Sequence, residues 1–264
     1  GPMCDMNPFG KTINIVLELT VAPDKDEDMY ERSVRYVGAK AARYIGLVMK
    51  DLTPDEQEVY SLAGRVEGLP NVVYVCQKHS VGLYLNNFVY DMPFNDLLPI
   101  VLHPNEVLDG AVIDGNFAHP AVKAPTYVDV NHPIIKELYK RHGKTLNFVG
   151  VIFLRGRFEE MEGKERCSNQ VAKTAHMLGA DAAVITWTGA GNAFIETMLN
   201  VKKCEQLGIK TVLATFELGG SEGLDDSLFY SEKEADAVVA LGTYDRHPPL
   251  HSVDRVIGAG APYI

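Results

Sequence analysis

The pattern of apolar positions divides the chain into a regular second half and a less regular first half. In the second half, unbroken apolar runs of strand length at 146–154, 181–187, 209–216 and 235–241 alternate with helical spacing at 163–179 and 192–207. Buried strands that alternate with helices are typical of a parallel sheet covered on both faces. We therefore predict a doubly wound α/β lobe, which begins with a helix at 131–144, capped by Asn131.

The first half predicts the same class of structure less clearly. Strands are expected at 11–21, 71–77 and 110–115, and helices at 28–50 and from Thr53, where Pro54 and a capping box indicate a helix start. Segment 116–133 carries three prolines and is the expected crossing between the halves. The full prediction is an α/β protein with two Rossmann/flavodoxin-like lobes, residues 1–130 and 131–264, with the parallel doubly wound sheet in the C-terminal lobe.

Composition narrows the class of function. The 264 residues are 46% hydrophobic and 23% charged, with a formal net charge of −10, which argues against nucleic acid because phosphate binding needs a basic surface. No apolar run reaches the ~18 residues of a membrane span, and no leader is evident, so we expect no membrane partner and a cytoplasmic protein. The four Cys and eight His show no metal-site spacing, so no metal is expected.

Ligands bind at the carboxyl ends of strands in such a sheet, which selects three loops of the second half: Arg155–Lys164, Thr188–Asn192 and Glu217–Ser221. In TGAGN, Gly189, Gly191 and Asn192 either form an anion site at a helix start or make a tight turn. In ELGGS, Glu217 is a candidate general base or amine-orienting group. Gly219, Gly220 and Ser221 complete that anion-binding candidate or form a glycine-rich loop without function.

Cys167 is the candidate nucleophile. In KERCSN it is predicted in the first turn of a helix beside Lys164 and Arg166, where the thiol pKa falls. The alternative is a small, half-buried helix residue. Cys76 and His79 form a Cys-x-x-His pair, but Cys76 ends an apolar strand and we interpret it as a core residue. Cys204 is expected to be buried and inert.

Asp114, Asn116 and His119 lie at the predicted crossing between the lobes, where clefts form. Asn116 is therefore a candidate substrate ligand and His119 a candidate catalytic group. Asp-Gly-Asn is equally good turn chemistry without any function, so both interpretations remain open.

Four longer phrases carry a resemblance. NHPIIKELYKRHGKTLNFVGVI, KERCSNQVAKTAHMLGAD, GNAFIETMLNVKKCEQLGIKTVL and PNEVLDGAVIDGN resemble the component B precursor subunit of glycine, sarcosine and betaine reductases, and D-proline reductase has a similar subunit. The resemblance runs from about Phe9 to about Gly258. It implies C–N bond cleavage beside a carboxylate. In that family the precursor cuts itself at an internal Cys and leaves a pyruvoyl group that captures the substrate amine, and a partner's selenol or thiol takes up the carbon fragment.

This sequence departs from the family at the processing segment. After DGN it reads FAHPAVKAPTY, so Phe117 and Ala121 stand roughly where the family has cysteines, and Thr126 matches a family Thr. Pyruvoyl formation needs a thiol or hydroxyl to attack the preceding carbonyl, so we expect no cofactor. The family phrase GNPDTD is GNAFIE here, which places Phe194 at one acid and retains Glu196 as a candidate substrate ligand.

Three functional hypotheses follow. The first is a reductase-like enzyme without pyruvoyl that acts on a small amino acid or N-substituted amino acid. The second is a non-catalytic or half-site subunit that pairs with a homologous chain carrying the chemistry, in a homo-oligomer or a hetero-oligomer with a related subunit. The third is a reductase subunit that matures at an unexpected residue.

Overall fold

The computed structural model describes residues 9–10, 12–20, 22–24, 26–80, 86–116, 124–156, 158–189, 191–217 and 230–243. Within these ranges the helices are α1 (Glu27–Met49), α2 (Pro104–Leu108), α3 (Thr126–Val130), α4 (Pro133–Arg141), α5 (Met161–Met177) and α6 (Ala193–Gln206). The strands are β1 (Asn71–His79), β2 (Asn87–Val89), β3 (Met92–Pro93), β4 (Ile100–Leu102), β5 (Val112–Asp114), β6 (Asn147–Gly156), β7 (Ala182–Trp187), β8 (Lys210–Glu217) and β9 (Val238–Thr243).

Six strands form one largely parallel sheet in the order β4-β6-β1-β7-β8-β9. The five adjacent strands β6, β1, β7, β8 and β9 are parallel to one another. β4 pairs antiparallel with β6 at the edge of the sheet. Counted among themselves in chain order, the five parallel strands run 2-1-3-4-5, so the succession reverses between β1 and β7. A second, antiparallel sheet has the order β3-β2-β5. The predicted mixed α/β class is confirmed.

Both faces of the large sheet are buried near β1 because alternate side chains enter two different cores. Val73 and Val75 of β1 pack into the core that also contains apolar side chains of α5 and α6. Tyr74 and Cys76 point to the other core, which includes side chains of α2 and α4. Burial on both faces requires apolar residues at every position, which explains the unbroken run of β1. The strand–helix alternation predicted for the second half is confirmed.

Two predictions in the first half are wrong. The described residues 12–20 of the predicted strand 11–21 pair with no strand, and Ile13 is 99% exposed. The helix predicted from Thr53 is also absent. Tyr60 and Leu62 instead pack against the core at a spacing of two residues, which belongs to an extended chain. Packing against α4 therefore overrides the local helix-start signal.

The helix predicted at 131–144 is shorter than expected. Its first residue is Pro133, His132 occupies the cap position, and Asn131 follows the end of α3 instead. The stop at Gly143 is confirmed, since its φ of 68° favours glycine.

The predicted division of the chain at residue 130 separates strands that belong to the same sheet. β1 belongs to the first segment, yet it lies between β6 and β7 of the second. Two separately folded Rossmann/flavodoxin-like lobes therefore stay a prediction. No helix in the described part of the chain is long and apolar enough to cross a membrane.

Candidate functional site

The reversal of strand order places a candidate site at the carboxyl ends of β1 and β7, where ligands bind in open α/β sheets. β1 ends in Lys78 and His79, and β7 is followed by Thr188 and Gly189. The backbone N–H of His79 donates to Thr188 Oγ1 at 3.0 Å, which ties the two strand ends together. Polar side chains are concentrated at this edge although it is largely buried.

Lys78 is held between two buried carboxylates. Its Nζ lies 2.5 Å from Asp129 Oδ1 and 3.1 Å from Asp114 Oδ2, and all three side chains are almost completely excluded from water. Burial alone would lower the pKa of Lys78, but the Asp129 and Asp114 carboxylates outweigh it and raise that pKa above its usual value. Burial raises the pKa of Asp129, and the Lys78 charge only partly offsets the effect. This cluster, called here the Lys78 clamp, is a fixed charge site.

Asn116 is buried beside the clamp, and its N–H groups donate hydrogen bonds to other groups of the protein. Its Nδ2 donates to the His79 carbonyl at 2.6 Å and to Asn87 Oδ1 at 3.1 Å, and its N–H donates to Asp114 Oδ1 at 2.8 Å. Gly115 permits this approach, since a Cβ there would lie 2.2 Å from the Asn86 carbonyl oxygen. These contacts favour the turn interpretation of Asn116, and its role as a substrate ligand stays a prediction.

Lys164 and Glu196 form a second buried ion pair, with Nζ and Oε1 2.7 Å apart. The same Glu196 oxygen accepts a hydrogen bond of 2.6 Å from the Phe158 N–H. Glu196 therefore fixes the segment after β6 to the start of α6. Its contacts are structural, and binding of a substrate by Glu196 stays a prediction.

Cys167 does not lie where the sequence placed it. α5 begins at Met161, so Cys167 is in the second turn and its side chain is buried in the core. Neither neighbouring cation reaches it, because Lys164 pairs with Glu196 and the exposed Arg166 pairs with Glu162. Burial, and secondarily the Glu196 charge, raises the pKa of Cys167 to about 12. The expectation of a lowered pKa is wrong, and a nucleophilic role stays a prediction that this environment opposes.

The other described cysteines are buried too, as expected. Burial raises the pKa of Cys76, and burial followed by the Glu205 charge raises that of Cys204 to about 12. Core packing is thereby confirmed for both.

We expect iodoacetamide to leave Cys167 unmodified in the native protein at about pH 8. With a pKa of about 12, only roughly one thiol in 10,000 is ionised there, and the side chain is out of reach of the reagent. Peptide mass spectrometry after alkylation measures this, with the same reaction in urea as the control. Native labelling of Cys167 at the rate of a free thiol would restore it as a candidate nucleophile.

The glycine turn after β7 has a conformational requirement. Gly191 has a φ of 54° and Gly189 a φ of 144°, both favouring glycine. A Cβ at Gly189 would also lie 3.2 Å from the Ala193 Cβ and 3.3 Å from His79 Nδ1. Asn192 takes the cap position of α6 without a side-chain cap hydrogen bond. A tight turn explains these glycines, and anion binding there stays a prediction.

A cavity of about 460 Å³ opens between the ends of β1 and β6 and the start of α5. It is lined by Ser80, Asn95, Arg155, Phe158, Glu159, Glu160, Glu162, Gly163 and Arg166. Arg155 is preorganised, since its Nη1 donates to the Asn95 carbonyl at 2.8 Å and its guanidinium lies 4.2 Å from the centre of the Phe158 ring. The cavity therefore presents cations and carboxylates close together.

Sequence reasoning found part of this edge. It selected Arg166 and the loop Arg155–Lys164, without singling out Arg155 or Phe158 within that loop. It missed Asp129 and the role of Lys78, for which a lysine at the end of an unbroken apolar strand was the available signal. His119, Gly219, Gly220, Ser221 and the side chain of Glu217 lie outside the described residues. Within the described ranges, no group of three or more His, Cys, Asp or Glu side chains could hold a metal ion.

The fold and this edge define an α/β protein with a polar site at the ends of parallel strands. The chain belongs to the family of glycine/sarcosine/betaine reductase component B subunits, whose model matches residues 1–262. The resemblance predicted from the sequence is thereby confirmed.

Curated relatives agree with this membership. The chain is 38% identical over 264 residues to glycine reductase complex component B subunits alpha and beta of Acetoanaerobium sticklandii, covering 98% of this chain and 61% of the relative. Identity and coverage are the same for sarcosine reductase complex component B subunit alpha of Peptoclostridium acidaminophilum. The betaine reductase complex component B subunit alpha of that organism is 36% identical over 257 residues, covering 94% and 58%. This chain thus spans about three fifths of their length. No solved structure matches it.

Proposed function

We propose that this protein is a reductase component B-type subunit that binds a small amino acid or N-substituted amino acid and works without a pyruvoyl group. Family membership supports the general assignment to C–N bond chemistry. The observation that carries the finer proposal is the composition of segment 114–127, which contains neither Cys nor Ser. We also infer a flavodoxin-like large sheet from its parallel strand order of 2-1-3-4-5.

Pyruvoyl formation does not fit the residues available. A side-chain thiol or hydroxyl must attack the carbonyl that precedes it, as in other nucleophilic steps. The hydroxyls in segment 114–127 belong to Thr126 and Tyr127. Thr126 is the first residue of α3, and its Oγ1 accepts a hydrogen bond of 3.0 Å from the Asp114 N–H. This contact supports a structural role for Thr126, which ties the start of α3 to the end of β5.

The cavity beside α5 supports the proposed substrate class. Arg155 and Arg166 offer guanidinium groups for a substrate carboxylate, the geometry that favours arginine over lysine. Glu159, Glu160 and Glu162 line the same space and offer partners for an amine. Opposite charges at a short separation suit a zwitterion. Glu217 and His119 stay the proposed acid–base groups.

An intact-mass spectrum with and without borohydride tests the proposal. We expect one species of the full chain mass that the reagent leaves unchanged, because no carbonyl group forms. Phenylhydrazine gives an independent check on the same sample. Two fragments, one of them shifted by either reagent, would mean that the chain matures after all and would favour the third hypothesis.

A half-site subunit is the second candidate, and the cysteines favour it. All three cysteines in the described ranges are buried with raised pKa values, so none of them replaces the lost electrophile with an ionised thiol. The relatives are subunits of reductase complexes by name, and a related chain would then supply the reacting group. Turnover by the purified protein alone, without any added subunit, would exclude this candidate.

A further inference from the structure

Helix α1 presents an apolar face that the rest of the described chain does not cover. None of its 23 residues is buried. Nine of its large apolar side chains are exposed: Met29, Tyr30, Tyr36, Val37, Tyr44, Ile45, Leu47, Val48 and Met49. Five of them, Tyr30, Val37, Tyr44, Ile45 and Val48, lie within about 60° of one line along the helix. At roughly 200 Å² for each fully exposed large side chain, these five present on the order of 500 Å². The largest apolar patch of a typical monomer is about 300–600 Å² and is often functional.

The helix is attached to the body of the protein by its opposite side. The guanidinium of Arg35 lies 3.5 Å from the centre of the Phe88 ring, and its Nε lies 3.2 Å from Asp91 Oδ1. At about 100° per residue, Arg35 lies well over a quarter turn from the line through Val37 and Tyr44. The contact with the body therefore leaves Val37 and Tyr44 directed outward, while Val34 and Ala41 are half-buried.

The apolar positions follow the spacing of a helix–helix seam. Six residues are separated alternately by four and three positions: Tyr30, Val34, Val37, Ala41, Tyr44 and Val48. This is the a/d spacing of helices that pack side by side. The set is also symmetric about residue 39, because the outer, middle and inner pairs are equally distant from it. An antiparallel copy of the same helix would therefore meet the seam in register.

The side-chain sizes favour that antiparallel register. It pairs Tyr30 with Val48, Val34 with Tyr44 and Val37 with Ala41, so each layer joins a larger side chain to a smaller one. A parallel pair would place tyrosine on tyrosine and alanine on alanine in the same layer. Cores fill space best when large and small side chains face each other.

The charges at the two ends of α1 are complementary. Glu27, Asp28 and Glu31 lie in its first turns, whereas residues 32–50 contain five basic residues and no acidic ones. An antiparallel pair brings the acidic end of each helix to the level of the basic end of its partner. In a parallel pair, like charges would face each other at both ends.

We propose that α1 is the dimerisation helix of this protein, and that it packs antiparallel against α1 of a second copy about a two-fold axis that crosses the seam between Val37 and Ala41. The face is self-complementary in spacing, size and charge, as an isologous interface requires. The proposal does not depend on the catalytic function proposed above.

Matched glutamate substitutions test the interface. Ala41 lies on the seam, whereas its exposed neighbour Ala42 points away from it. By light scattering, the wild type should have twice the 29.1 kDa chain mass. Ala41→Glu should raise the dimer Kd on the order of 100-fold, because the symmetry buries two unpaired carboxylates. Ala42→Glu should leave it unchanged. Circular dichroism confirms that both variants fold.

Disulfide trapping tests the direction of the helices. In a Cys4→Ser background, a Tyr30→Cys chain mixed with a Val48→Cys chain should form disulfide-linked dimers, while neither variant should link to itself. In the antiparallel register the two copies of position 30 lie about 27 Å apart along the helices, as do the two copies of position 48, so neither variant can link to itself. Self-linking by the single variants, a monomeric wild type that needs a different chain to associate, or equal effects of both glutamates would each overturn the proposal.

Discussion

Replacing Lys78 with methionine should lower the free energy of unfolding by about 3–5 kcal/mol, the cost of breaking a buried ion pair by removing one partner. Lys78 balances Asp114 and Asp129, whose side chains are fully buried. Without the ammonium, two carboxylates face each other in a site that water does not reach. Urea unfolding of the variant at neutral pH, followed by circular dichroism, measures the loss.

Lys210→Met is the matched control for the same substitution. Lys210 pairs with Glu205 at 3.1 Å but is 79% exposed, so its loss should change stability far less than the loss of Lys78. Adding Asp114→Asn and Asp129→Asn to the Lys78 variant should recover part of the stability, because no unpaired charge remains. Equal losses for the two lysine variants would contradict a buried clamp.

The second large effect concerns His132 and acid. Burial first, and the Lys78 charge second, lower the pKa of His132 from 6.5 to about 3. Between these values the unfolded chain binds a proton that the folded protein does not, so stability falls as the pH falls. From pH 6.5 to pH 5 this difference amounts to about 2 kcal/mol, at about 1.36 kcal/mol per pH unit.

His132→Asn should remove this contribution while retaining a polar group near the Tyr74 hydroxyl, which lies 3.1 Å from His132 Nε2. The measurement is the free energy of unfolding of both proteins at the two pH values. The wild type should lose about 2 kcal/mol more than the variant, since the carboxylates contribute equally to both. Parallel curves would mean that His132 titrates normally.

Local sequence pattern predicted the elements whose burial is set by the sheet. β1, β6, β7 and β8 are unbroken apolar runs because both sides of each are covered or partly covered, and sequence shows that directly. The segment from Thr53 was misinterpreted because its cap residues describe only a local preference. Tyr60 packs on Tyr139, with ring centres 5.0 Å apart, a contact 79 residues distant in sequence.

The candidate site was predicted less completely because its contacts are long-range. Lys78 and Asp129 are 51 residues apart, and no spacing rule joins them. Cys167 was misplaced for a local reason. α5 starts two residues earlier than predicted, which moves Cys167 from the first turn to the second, on the side of the helix that faces the core. Lys164, which was predicted to activate that thiol, instead forms an ion pair with Glu196.

The Lys78 clamp has a consequence for the covalent continuity of the chain. Asp114 precedes residues 117–123 and Asp129 follows them, yet both carboxylates close on one ammonium of β1. Two residues between these acids in the chain add hydrogen bonds. Asn116 Nδ2 donates to the His79 carbonyl, and Thr126 Oγ1 accepts from the Asp114 N–H. If the backbone were nicked within 117–123, the new ends would each remain tethered to the same fold. Cleavage there and separation of the two products are therefore distinct events in this architecture.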